Sequence, residues 1–227
     1  MNGPGRQDDT EGLGLRSSGE IRSYLADQMN AALRRPGMYG GEIALRLLFA
    51  TLAHVERLDA RWEAELDLLR ARGLFTSTGV TGALDGVLPD GRSQDGAIAS
   101  VYAEIAARFG WLVPDRGLSA AEQSALVQQA ADWAGDDRTL GEVLSTWGAP
   151  SVWLGGKNPL YPKTLAYLVD DPQAPLVCFH LWNQIEPREG PGLNPVFPEP
   201  MMLAVRLGHG PLSTTLTFTP EGQRRRP

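Results

Sequence analysis

The 227-residue sequence predicts an α+β fold, a helical N-terminal part packed on a C-terminal four- to five-stranded antiparallel sheet. Three observations carry this. Apolar residues recur at spacings of three and four as far as residue 148, the period changes to two after Pro150, and turn chemistry such as "DDPQAP" and "GHGP" separates the later runs. A composition 42% hydrophobic and 21% charged is ordinary for a globular chain of a size that buries a real core. The expected unit is one domain over 18–220, helical over 18–148 and β-rich over 150–220, between mobile tails at 1–17 and 221–227.

The first helix should enter through Ser17 or Ser18 and bury Ile21, Tyr24, Leu25, Met29, Ala32 and Leu33 on one face. Pro36 should end it, because proline disfavours helical dihedrals at Arg35 and lacks a donor. A second helix is expected from Gly41 as far as Arg72, its stripe formed by Ile43, Leu47, Leu48, Thr51, Val55, Leu58, Trp62, Leu66 and Leu69. Residues 74–92 read either as a lid loop or as a short helix or hairpin flap. Ile98, Val101, Tyr102, Ile105 and Phe109 mark a third helix that Gly110 ends, and "SAAE" opens a fourth with capping-box spacing and Leu126, Val127, Ala130 and Trp133 inward. "TLGEVLSTWG" is a short fifth.

Five β-rich runs follow: "SVWLGG", "TLAYLV", "PLVCFHLW", "MMLAVRLG" and "STTLTFT". The proline-rich stretch "NQIEPREGPGLNPVFPEP" should be an irregular connection and not a helix.

The single cysteine, Cys178, excludes an internal disulfide and a cysteine-based zinc site, and the three histidines have no chelating spacing, so no metal or cofactor is called for. No run of eighteen apolar residues exists, and "MNGPGRQDDTEGLG" lacks the basic start and apolar core of a signal peptide, so the reading is a cytoplasmic protein with no membrane attachment. The formal net charge is −6, and all the excess acid lies before residue 150. That balance disfavours a nucleic-acid ligand and fits a basic protein partner.

Candidate chemistry is sparse. Cys178 and His180 stand two apart on an expected strand and so share a face, the arrangement a cysteine nucleophile and its base would need. Apolar neighbours on both sides of that strand make a doubly buried core strand the simpler account. "LGGKN" invites comparison with a phosphate loop but fails it: with Gly156 and Lys157 in the Gly-Lys places, Ser151 would fill the first glycine's place and Asn158 that of the magnesium-holding hydroxyl. The pairs Asp136-Asp137 and Asp170-Asp171 lie in turns, where adjacent acids point apart. Trp153, Tyr161, Trp182, Asn183 and Gln184 are the expected contact surface, placed at one end of the sheet.

One stretch remains, "RRPGMYGG" over 34–41. Arg35-Pro36-Gly37-Met38-Tyr39 with Gly41 resembles a run near the start of type II topoisomerase ATPase subunits, but the asparagine-bearing helix and the Asp-x-Gly-x-Gly segment of those ATPases have no counterpart here. Between two helices, the same run is similar to that of a loose group of small uncharacterised bacterial proteins, over residues 20–55, some of which are thought to act as immunity proteins of toxin systems. The resemblance implies a protein-binding module and supplies no catalytic residue. The physical reading of the run is a corner in which Gly37 takes the positive φ of a type II turn while Met38 and Tyr39 pack back on the core. The alternative to a binding module is an enzyme with a pocket between helices and sheet.

Overall fold

A computed structural model describes residues 17–89, 94–169, 171, 173–186, 192 and 194–227. The expected tail at 1–17 therefore lies outside the described residues apart from Ser17. In chain order the helices are α1 (Ser18–Arg34), α2 (Pro36–Tyr39), α3 (Gly41–Val55), α4 (Asp59–Ala71), α5 (Gly79–Asp85), α6 (Asp95–Phe109), α7 (Ala120–Trp133) and α8 (Leu140–Trp147). The β-rich part holds β1 (Val152–Leu154), β2 (Lys163–Tyr167), β3 (Val177–Trp182), β4 (Ile185–Glu186), β5 (Asn194–Pro195) and β6 (Met201–Arg206), then α9 (Leu212–Thr215), β7 (Leu216–Phe218) and α10 (Pro220–Arg224).

The α+β class and the antiparallel sheet are as expected. Five strands pair in the order β1-β2-β3-β6-β7, and β4 and β5 form a small separate ladder inside the proline-rich connection. All five of the main strands pair antiparallel with their neighbours. The central strand β3 is buried at every position, because both faces are covered. On one side Val152, Leu154, Ala166 and Cys178 join the core of α1, α3 and α6. On the other, Leu165, Tyr167, Phe179 and Val205 meet Leu126, Ala130, Leu140 and Val143 of α7 and α8.

Helix starts follow from side-chain chemistry. Ser17 with Glu20, Ser119 with Glu122 and Thr139 with Glu142 each form a reciprocal capping box, which satisfies donors that the first helical turn would otherwise leave open. The middle helix α6 is buried from Gly96 to Ala106 and packs on β1, β2 and β3. Its alanines permit that close approach, and Gly96 sets the limit: a Cβ there would stand 2.7 Å from the Leu154 carbonyl oxygen and 2.8 Å from the Thr164 nitrogen.

Several expectations need correction. The long second helix is two, broken at Arg57, whose φ of 59° is left-handed and lets the chain turn before Asp59. The apolar face of α3 is also different. Leu45, Phe49, Leu52 and Ala53 are buried while Ile43 and Leu47 are 72% and 64% exposed. This helix carries two apolar stripes, and the one with Phe49 goes inside, where the ring meets Trp62, Tyr102 and Trp111. Tyr24 and Val127, expected inside, are exposed too.

Of residues 74–92, Gly79–Asp85 form the short helix α5, and 90–92 lie outside the described residues. The expected C-terminal tail is instead helical at its start: Thr219 caps α10, and Asp137 pairs with Arg224 at 2.7 Å. Asp136, its sequence neighbour, turns away to Arg138, as adjacent acids in a turn should.

Candidate functional site

The corner 34–41 is built differently from a type II turn. Pro36 to Tyr39 make one helical turn, α2, with proline at its first position and Gly40 closing it at φ 97°. Gly37 has no positive φ; the left-handed residues are Gly40 and Gly41. Met38 and Tyr39 do not pack back on the core, since Met38 is 77% exposed and Tyr39 is also on the surface. Ile43 and Leu47, one turn apart on α3, add two more exposed large apolar side chains.

Against α2 lies a cleft of about 560 Å³, within the usual range of ligand sites. Its walls are the two stretches the sequence singles out and a third element it does not. Arg35 to Met38 form one wall, Gly155 to Asn158 with Tyr161 and Pro162 form another, and Asp95 and Gly96 at the start of α6 complete it. The "LGGKN" glycines, left unexplained by the phosphate-loop comparison, are thus one side of a concave site.

The β1–β2 loop is held in place from three directions. The Gly155 N–H donates to the Arg34 carbonyl at 3.1 Å, tying the loop to the end of α1. From below, the buried Lys163 ammonium donates to the Asn158 carbonyl, and burial pushes its pKa down to about 8. Further along, Asn183 donates to the Leu160 carbonyl at 3.0 Å. Arg34 itself is anchored by Asp115 at 2.9 Å.

Asp95 is the polar group at the meeting point. Its carboxylate comes so close to Gly37 that a Cβ on that residue would be 2.6 Å from Oδ2. The side chain is half-buried, and burial raises its pKa above the ordinary aspartate value. Among the described residues it has neither a hydrogen-bond nor an ion-pair partner, although Arg35 and Lys157 line the same cleft. Arg35 likewise has no partner among the described residues, and Lys157 has only a 3.9 Å approach to Asp115.

The residues expected to carry function are dispersed. Cys178 is fully buried, with a thiol raised by burial, and accepts a 3.7 Å contact from the Arg206 guanidinium. His180 is also buried; burial first and the Arg206 charge second push its pKa down to about 3. Its Nδ1 faces the Thr164 hydroxyl at 2.9 Å. The pair is a neutral thiol and a neutral imidazole in the core facing α6. Of the expected contact surface, Trp153 packs with the α7–α8 side of the sheet, and Trp182 lies under the Arg225 guanidinium at 4.1 Å. Asn183 spends its side chain on Leu160 and Phe197, and Gln184 is exposed at the strand end. Only Tyr161 lines the cleft.

Sequence reasoning missed Asp95 and a second polar assembly. Inside the fold, the Glu104 carboxylate pairs with Arg206 at 2.7 Å, Arg108 at 3.1 Å and His209 at 2.5 Å, and Arg108 continues to Glu65 at 2.6 Å. A lone arginine in the run "MMLAVRLG" and a lone glutamate in "SVYAEIAARF" were the available signals, since buried charges of opposite sign must find one another. Among the described residues no three His, Cys, Asp or Glu side chains stand together as a metal site, and no described helix is long and apolar enough to cross a membrane.

Fold and site together define an α+β protein with an open cleft between helix ends and a sheet loop. No protein-family model matches the chain, and no curated protein or solved structure does so either.

Proposed function

We propose that this chain is a cytoplasmic protein-binding module, of the immunity type its corner sequence resembles, whose recognition face is the exposed apolar surface of α2 and α3 with the adjoining cleft. The observation that carries the reading is the exposure of four large apolar side chains within one short stretch of chain, Met38 and Tyr39 on α2 and Ile43 and Leu47 on α3. Large apolar side chains grouped on a surface mark contact sites, whereas scattered ones need no explanation. The net charge of −6 would steer a basic partner toward the molecule. That steering is not local to this surface, because residues 18–72 carry acidic and basic side chains in equal number.

A photo-crosslinking residue at Leu47, and another at the exposed Val127 on α7 as control, tests the reading in the native host. It predicts a discrete adduct from position 47 that Met38→Glu removes without lowering the melting temperature. Equal labelling from both positions, or an adduct indifferent to Met38→Glu, contradicts it.

Asp95, without a partner among the described residues, favours one second reading, an enzyme in which this carboxylate serves as acid or base within the cleft. Turnover of a cleft ligand, lost in Asp95→Asn while binding persists, would decide for it.

A further inference from the structure

We infer that the cleft is a binding site for a small zwitterionic ligand of the amino-acid type, with its ammonium group on Asp95 and its carboxylate between Arg35 and Lys157. The inference goes beyond the protein-binding reading and does not depend on it.

Gly37 and Gly96 are both places where a side chain would collide, the first with the Asp95 carboxylate and the second with the sheet backbone. Together they let the start of α6 and the turn α2 close on one carboxylate. A half-buried carboxylate without a hydrogen bond is costly, and proteins ordinarily supply it with a donor. This one has none among the described residues, whereas Glu42 on α3 is fully engaged, accepting from the Val80 and Thr81 N–H groups and from the Tyr102 hydroxyl at 2.7 to 2.8 Å. Among the described residues, then, the Asp95 oxygens are left open to a donor that enters the cleft.

Charge sets the ligand's other end. Two cations line the same cleft and neither is committed: Arg35 has no partner among the described residues, and Lys157 is 70% exposed with only the 3.9 Å approach to Asp115. A purely cationic ligand would meet both of them, and a purely anionic one would meet Asp95. A ligand with both charges matches all three groups, and an arginine fork is suited to a carboxylate. The backbone of the loop that carries Lys157 is fixed by Arg34, Lys163 and Asn183, so the root of that side chain is in place before binding. A volume of about 560 Å³ admits a free amino acid or a short peptide with a free end.

Calorimetric titration of the full chain separates these sources and tests the charges. The probes are the twenty free amino acids, a set of di- and tripeptides, the amines that lack the carboxylate and the acids that lack the amine. The expected result is binding of at least one zwitterion, weakened at least tenfold by Asp95→Asn and by Arg35→Ala with Lys157→Ala. The matching amine should stay sensitive to Asp95→Asn only, and its affinity should fall as the pH drops and Asp95 takes up a proton. Free amino acids binding better than peptides identifies the first source, and the reverse identifies the second. Circular dichroism confirms that each variant folds; should Asp95→Asn not fold, the two cation variants, which sit on the surface, carry the test alone. Absence of binding across the whole panel, or binding that ignores both the acid and the cations, overturns the inference. Its failure leaves the crosslinking outcome at Leu47 untouched, so the two readings fail separately.

Discussion

A methyl group added at residue 37 and one added at residue 40 would meet different obstacles. Gly40 closes α2 at φ 97°, where any side chain is strained, so Gly40→Ala should cost about 1 to 2 kcal/mol. At Gly37 the dihedrals are not left-handed and, among the described residues, the only obstacle is the movable Asp95 carboxylate, so Gly37→Ala should change stability by less than about 1 kcal/mol. It should nevertheless displace Asp95. Urea denaturation of both variants checks the contrast; a larger loss for Gly37→Ala than for Gly40→Ala would mean that the corner is misassigned. Cys178 gives a second test at this scale. Its thiol is buried and raised, so the native protein should alkylate slowly at neutral pH, and Cys178→Ala should cost roughly 1 kcal/mol.

Among the elements, α5 depends on a residue remote in sequence. Glu42 on α3 accepts from the Val80 and Thr81 N–H groups and the Thr81 and Tyr102 hydroxyls, and Gly79 leaves room for it. Glu42→Ala would strip four donors at once and should cost about 2 to 3 kcal/mol in chemical denaturation; a loss under about 0.5 kcal/mol, the size of an ordinary surface change, would show that the contact does not hold α5. Much at this scale was legible in the sequence. The helix entry at Ser17 or Ser18, the capping box at Ser119, the stop at Pro36 and the end of α6 at Gly110 come from local chemistry and are present, as are the strand runs, the last of them shortened by α9. The face of α3 was not legible, because its two apolar stripes are equivalent until Trp62, Tyr102 and Trp111 select Phe49. Nor was the break at Arg57, which carries no glycine, proline or asparagine to announce a left-handed residue.

At the scale of the whole molecule, the buried ion assembly joins α6 to β6 and to the loop after it. His209 presents both ring nitrogens to pure acceptors, Glu104 Oε1 at 2.5 Å and the Gln173 carbonyl at 3.1 Å, which only the imidazolium can satisfy. The Glu104 hydrogen bond accordingly raises its pKa. A raised histidine contributes stability that is fully present below its unfolded value, near 6.5, and is lost as pH rises through the folded one. Glu104 has the opposite sign. Burial alone would raise it, but Arg206, His209 and Arg108 outweigh burial and hold it well below the carboxylate range, so its contribution disappears in acid. His209→Asn should therefore lower the melting temperature at pH 6 more than at pH 9, and an equal loss at both would show that the histidine is neutral in the fold.

The site was only half legible at this same scale. Both of its glycine-bearing stretches stand out in the sequence, but their meeting across more than a hundred residues depends on the sheet carrying β1 past the start of α6. Asp95, placed just ahead of the expected helix, gives no sign of its surroundings until that packing exists. Everything proposed for the cleft rests on this carboxylate being partly dry and unpaired in the free protein. Carbon-detected NMR titration of the Asp95 carboxyl in the ligand-free chain measures that directly. A midpoint clearly above the ordinary aspartate value of about 3.9 is the predicted result; a midpoint at that value would mean that Asp95 is fully hydrated, one below it that a cation already holds it, and either would contradict a dry carboxylate waiting for a ligand.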